Sequence, residues 1–191
     1  MVTINGCSLT IQNIVEVSRF FEEVCLDPSC LTCIQGSAET VTRLQTSDQP
    51  AYGINTGFGI FSTVKISPED CRKLNRNLIL SHAIGYGESF PEEIVRAAML
   101  IRANSLAKGY SGVRVEIIKI LLEMLNKKIT PMVKNKGSLG SSGDLCMLSQ
   151  LALVFTKDEQ DNEKESGQAL FQGKLVSGKT AMENAGIQRL E

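Results

Sequence analysis

Between residues 67 and 126 the sequence spells out three helices with their start and stop signals, and this run constrains the fold more than any other feature. Ser67-Pro68-Glu69-Asp70 is a helix start, with a capping serine, a proline in the first turn and early acids. That helix is expected to reach about Ile84, where Gly85 and Gly87 stop it. A second follows Phe90-Pro91-Glu92-Glu93, carries Ile94, Ala97, Ala98, Ile101 and Ala107, and breaks at Gly109-Tyr110-Ser111-Gly112. A third covers Val113–Asn126, with Val115, Ile118, Leu121, Leu122 and Leu125 on its buried side, and Pro131 closes the region.

The flanks agree with a mainly α chain. Thr10 is placed to cap a helix through Glu23. A short helix is expected near Ser37–Leu44, an apolar one at Leu145–Phe155, and a last one at Lys179–Ala185, closed by Gly186. Strands are confined to two small hairpins near the ends. One is built on Val2, Ile4 and Leu9 around Asn5-Gly6, the other on Ala169–Ser177 around Gly173. Residues 27–35 and 51–63 read as loops, the second one structured, and Lys157–Ser166 as a solvated charged loop.

Several function classes drop out on composition. With 20 basic and 21 acidic residues the net charge is -1, which argues against a nucleic-acid grip driven by phosphate neutralisation. No apolar run approaches the roughly 20 residues that a membrane helix needs. The start lacks the basic and apolar regions of a secretory signal, so a cytoplasmic protein with reduced thiols is expected. Six cysteines form only one CxxC, Cys30 and Cys33, where a zinc ribbon wants a second pair. The single histidine, His82, excludes zinc sites built on two imidazoles, and no metal site is expected.

The chemistry concentrates in KGSLGSSGDL, residues 136–145. Glycines 137, 140 and 143 precede a helix, the setting of an anion-binding turn. No Lys-Ser/Thr pair follows, however, and Asp144 would repel phosphate. Ser141, Ser142 and Ser149 surround Asp144, with His82 available as a base, but the Gly-x-Ser-x-Gly elbow of serine hydrolases is missing. A third reading uses the backbone. Gly143 has no Cβ, so its nitrogen is the least hindered in the segment. Pressed against the Ser141 carbonyl carbon, it closes a five-membered ring. Loss of water, and of the Ser142 hydroxyl, then leaves an electrophilic alkene. Such closure needs a compressed backbone held by the surrounding fold.

These residues resemble the signature of the aromatic amino acid ammonia-lyases, which make a 4-methylideneimidazol-5-one group (MIO) from Ala-Ser-Gly. Three more segments resemble the family in order: Tyr52-Gly-Ile-Asn-Thr-Gly-Phe-Gly59, Asn77-Leu-Ile-Leu-Ser-His-Ala-Ile-Gly85 and Arg102–Arg114. The last two lean toward its histidine branch. The resemblance implies the N-terminal part of the L-aspartase-like helical fold across residues 1–191, without the C-terminal helical bundle. It implies that Ser141, Ser142 and Gly143 form the MIO, that Tyr52 moves a proton at the substrate β-carbon, that His82 contacts the substrate side chain, and that Asp144 supports the turn. No diffusible cofactor is implied. The implied reaction eliminates ammonia from histidine to give urocanate, with phenylalanine or tyrosine lyase or aminomutase chemistry as the alternative. The implied assembly is a homotetramer that completes its sites with the C-terminal part. A non-catalytic remnant, or a partner subunit of a split lyase, is the competing expectation. Two departures stand out: Ser141 replaces the usual alanine, and Cys146-Met147 stands where the family usually has Ala-Pro.

Overall fold

The computed structural model describes residues 1–141 and 143–191. Ser142, the central residue of the expected ring, lies outside the described residues.

Strand β1 (Val2–Ile4) is followed by helix α1 (Ile11–Arg19). The Thr10 side chain accepts from the Asn13 amide, and Asn13 accepts in return from the Thr10 amide, which closes a capping box. The helix stops at Arg19, short of the expected Glu23, because Phe21 adopts φ +56° and turns the chain. It then enters β2 (Val24–Leu26), which pairs with β1 in parallel. The hairpin expected at the N-terminus is therefore a parallel strand pair with a helix between its members. Asn5-Gly6 does make a turn: Asn5 accepts from the Cys7 and Ser8 amides, and Gly6 takes φ +86°. What decides the pairing is burial, since Val2, Ile4 and Val24 all enter the core.

Helix α2 (Leu31–Gln45) starts well before the expected Ser37, because Pro28 and the Asp27 cap open a 3-10 turn that feeds into it. Ile34 is the helix residue it buries, so its apolar period is faint. Helices α3 (Pro68–His82), α4 (Glu92–Leu106) and α5 (Val115–Asn126) follow as read from the sequence, with the short strand β3 (Tyr86–Ser89) between the first two. The core is built on α4 and α5, where Met99, Leu100, Ala103, Ile118, Leu121, Met124 and Leu125 are sealed from solvent. Each of the leucine, isoleucine and methionine side chains contributes about 1.5–3 kcal/mol by burial.

One charge sits in that core. Arg96 is fully buried, and its guanidinium donates to the carbonyls of Val17 and Ser18 in the last turn of α1 and of Leu125 at the end of α5. The Phe21 ring lies 4.3 Å from it. Burial pulls its pKa down and the nearby Glu92 opposes this. A guanidinium nevertheless keeps its proton, so the arginine works as a permanent cap on two helix C-termini.

Strands β4 (Ile129–Pro131), β5 (Lys134–Lys136), β6 (Leu139–Gly140) and β7 (Gly143–Asp144) lead to helix α6 (Cys146–Phe155). Strand β8 (Gln168–Phe171) pairs antiparallel with β9 (Lys174–Ser177) and with β4, so the expected C-terminal hairpin gains a third strand. Gln172 and Gly173 at its tip both have positive φ, as a two-residue hairpin turn requires. Helix α7 (Gly178–Asn184) is capped by Ser177. The charged run 157–166 is less solvated than expected. Asp161 pairs with the buried Arg189 and with Lys179, and Ser166 is fully buried. Arg189 also donates to the carbonyls of Leu153, Val154 and Thr156, closing the end of α6.

The result is a mainly α chain with small sheets, as read from the sequence. Among the described residues no helix is long and apolar enough to cross a membrane. Nor do they hold a cluster of three or more histidine, cysteine or acidic side chains that could bind a metal.

Candidate active site

The loop carrying Tyr52 is shaped by a residue that sequence reading left unassigned. Asn55 is fully buried, and its amide donates to the carbonyls of Leu44, Ser47 and Gln49, while its oxygen accepts from the Ala51 amide. One side chain thus satisfies four main-chain groups and ties the loop to the end of α2. Thr56 pairs across the loop with Lys65, and Ile66 donates to Asn55, so the segment 51–66 is a closed, ordered turn. Tyr52 projects from it and is 63% exposed. Its ring meets Phe58 edge-on at 5.7 Å, and its hydroxyl lies 3.5 Å from the Gly59 amide nitrogen. Cys71 on α3 donates its thiol to the Ile54 carbonyl, which anchors the loop against that helix.

His82 is the last residue of α3 and is half-buried. Its Nδ1 lies 2.8 Å from the Leu78 carbonyl oxygen and 3.0 Å from the Ser81 hydroxyl. A carbonyl only accepts, so Nδ1 carries the proton there, and in the neutral ring Nε2 is then the acceptor. The chain then turns at Gly85 into β3, which pairs antiparallel with β5, Tyr86 facing Lys136 and Ser89 facing Lys134. The histidine end of α3 is in this way linked to the strand that leads into the glycine-serine segment.

That segment is a hairpin. Leu139 pairs with Asp144 and Gly140 with Gly143, with Ser141 following directly on the first strand. Gly143 adopts φ +93°, a conformation open to glycine at little cost. Ser141 is exposed and Gly143 half-buried. The Asp144 Oδ1 accepts from the Cys146 amide at 2.9 Å, at the start of α6. Its carboxylate also lies flat against Gly137, where an added Cβ would overlap both oxygens and come within 2.7 Å of Cγ. The missing proline after Leu145 is thus offset by a carboxylate that fastens the hairpin to the following helix. The positive φ of Gly143 and the tie from Asp144 to the start of α6 are compatible with a backbone ring at this position.

Among the described residues no hydrogen bond joins Tyr52, His82 and the hairpin to one another. A surface cleft of about 510 Å³ touches the Tyr52 loop at Ile54 and is lined otherwise by Ser37, Thr40 and Val41 of α2 and by Tyr110 and Ser111. Two further polar residues escaped the sequence reading. Arg76 on α3 donates to the Thr156 hydroxyl and to the Glu165 carbonyl, pinning α3 to the end of α6. Gln150 is buried in α6 and accepts from the Lys134 amide. For Gln150 the signal available was a polar residue on the buried side of an otherwise apolar helix; α3 is mostly polar and gave none for Arg76.

Comparison with known proteins gives a single family. The description aromatic amino acid lyase matches residues 9–191. Histidine ammonia-lyase of Alkaliphilus oremlandii is 45% identical over 187 residues, covering 98% of this chain and 35% of that relative. Histidine ammonia-lyase of Bacillus subtilis is 44% identical over 98% of this chain and 35% of its own length. The chain therefore spans about a third of the length of these relatives, their N-terminal part. Among solved structures, ergothionase from Treponema denticola superposes with a TM-score of 0.88 at 26% identity, over 98% of this chain and 36% of that one. The phenylalanine aminomutase of Pantoea agglomerans gives 0.86 at 32% identity, over 100% of this chain and 35% of that one.

Proposed function

The chain belongs to the aromatic amino acid lyase family, and from that premise we propose that it is the N-terminal, MIO-bearing portion of a cytoplasmic histidine ammonia-lyase. In this reading the active unit also needs the C-terminal part of such a protein and assembles as a homotetramer. The observation that carries the proposal is the clamped hairpin at 139–144, with Gly143 in the left-handed region and Asp144 holding its base.

Ring closure balances without an oxidant. The Gly143 nitrogen bonds to the Ser141 carbonyl carbon, and that carbonyl oxygen leaves as water with the amide protons of Gly143 and Ser142. The Ser142 hydroxyl leaves as a second water with its Cα proton. The side chain of Ser141 takes no part, so serine serves in place of alanine. Once formed, the group supplies an electrophile that makes the substrate amine a good leaving group.

The remaining roles fall to this chain's own side chains. Tyr52 stands on an ordered loop with its ring free to face a substrate, and it moves the proton at the β-carbon. His82 offers Nε2 as an acceptor because Nδ1 is engaged by Leu78. An imidazole N–H on the substrate is a fitting donor to it, whereas a phenyl ring has nothing to give. This favours histidine over the phenylalanine and tyrosine alternatives, along with the naming of the relatives.

The test is release of urocanate from histidine, followed by its absorbance, in the complete product of the gene. Phenylalanine and tyrosine serve as competing substrates. His82→Ala is expected to raise KM for histidine about 10-fold, the size of one lost hydrogen bond of about 1.4 kcal/mol, with a smaller change for phenylalanine. Equal KM values for wild type and variant would remove His82 from the substrate site. Absence of any lyase activity in the complete product would favour a non-catalytic remnant.

A further inference from the structure

The side chain of Gln150 stands where three pieces of the candidate site meet. Its helix, α6, begins directly after the hairpin. Its Oε1 accepts from the Lys134 amide at 2.8 Å, on the strand that leads into the hairpin from the other side. Its Nε2 is buried without a hydrogen-bond partner among the described residues and lies against Gly85, in the turn after His82. The fit there is tight: a Cβ on Gly85 would come within 3.0 Å of the glutamine Cδ and 2.5 Å of the Lys134 Cβ, and would overlap Nε2 itself.

An amide left half-unpaired in the protein interior is unfavourable compared with an aliphatic side chain of the same shape. Packing alone therefore does not account for a glutamine in a helix whose neighbouring buried residues include Leu151, Val154 and Phe155. The half that is paired fixes the position of β5 relative to α6. Those two elements are the two ends of segment 137–145, and Asp144 fastens the same segment one step further in. Fixing both ends sets the span that the turn must cover, and backbone ring closure needs the turn held rather than free to open.

We propose that Gln150 is a positioning residue for ring closure: through Lys134 it holds both ends of the glycine-serine hairpin at the separation that brings the Gly143 nitrogen onto the Ser141 carbonyl, and through Gly85 it keeps the His82 turn in register with it. The inference rests on the proposed MIO chemistry for its consequence and on the observed contacts for its geometry. The two are separable by experiment.

Gln150→Leu removes the acceptor and keeps the volume. Gln150→Glu keeps an oxygen in the acceptor position. Both are compared with wild type in the complete gene product by peptide mass across 137–145, by amide hydrogen exchange over 134–146, and by thermal unfolding. The expected result for Gln150→Leu is at least a 10-fold slower appearance of the doubly dehydrated peptide and at least 10-fold faster exchange at Lys134 and in the hairpin, with the unfolding temperature close to wild type. Gln150→Glu is expected to recover most of both rates. Dehydration and hairpin exchange at wild-type rates in Gln150→Leu would overturn the proposal while leaving the MIO reading intact. An unmodified wild-type peptide together with accelerated hairpin exchange in Gln150→Leu would defeat the MIO reading and with it the role in ring closure, leaving Gln150 only as a brace between β5 and α6.

Discussion

Arg96→Ala is expected to lower the stability of the protein by about 3–5 kcal/mol, as the sum of a cavity and several lost charge-assisted hydrogen bonds. That is a large share of the roughly 5–15 kcal/mol that holds a typical domain together. The physical cause is specific. The guanidinium reaches the carbonyls of Val17, Ser18 and Leu125, at the C-terminal ends of two helices. Truncation leaves those carbonyls facing a hole inside the protein, and Phe21 loses the flat cation it packs on. Arg96→Met refills much of the volume but supplies no donor, so it is expected to recover only part of the loss. Urea unfolding with an unchanged m-value checks this. A loss below about 1 kcal/mol for the alanine variant would mean that water or a rearranged loop caps both helices equally well.

Gly137→Ala is expected to reduce ring closure at least 10-fold while costing the rest of the protein only about 1–2 kcal/mol, the range for one hydrogen bond and a local shift. Gly137 does not have a positive φ, so the substitution introduces no backbone penalty of its own. The effect comes from contact. The new methyl group occupies the place of the Asp144 carboxylate, which has to swing away and give up its bond to the Cys146 amide. The base of the hairpin then opens just where β7 passes into α6. Mass of the 137–145 peptide, read beside the thermal unfolding of the same sample, separates the local effect from general destabilisation. A fully dehydrated peptide in this variant would show that the carboxylate clamp is dispensable.

Much of the helical architecture could be read from the sequence because its signals are local. Ser67, Thr10 and Ser177 each cap the helix they precede, and Gly186 ends the last one. The errors occur where distant residues decide. Nothing near Val2–Ile4 says that its partner is Val24–Leu26; that follows from a shared face buried on the core helices. The front of α2 carries little apolar period because Ile34 is the residue it buries. Asp161 looked like one charge in a solvated run, but its partner, Arg189, lies 28 positions away and is buried.

The candidate site divides in the same way. The glycine-serine segment was legible because its chemistry is written in consecutive residues. Tyr52 and His82 came into view only through the resemblance of whole motifs. Asn55, Arg96 and Gln150 were not legible at all. Their roles lie in which main-chain groups a side chain happens to reach, and a residue type alone carries no record of that. These three hold, respectively, the loop that presents Tyr52, the helices of the core, and the strand that enters the hairpin.

Every functional statement above depends on whether residues 141–143 become a ring. The most direct measurement is the mass of the peptide spanning 137–145 from the purified complete gene product. Two waters lost at Ser141-Ser142-Gly143 correspond to a deficit of about 36 Da, with the change confined to that peptide. A peptide at its full unmodified mass would contradict the account and leave a lyase fold without its electrophile.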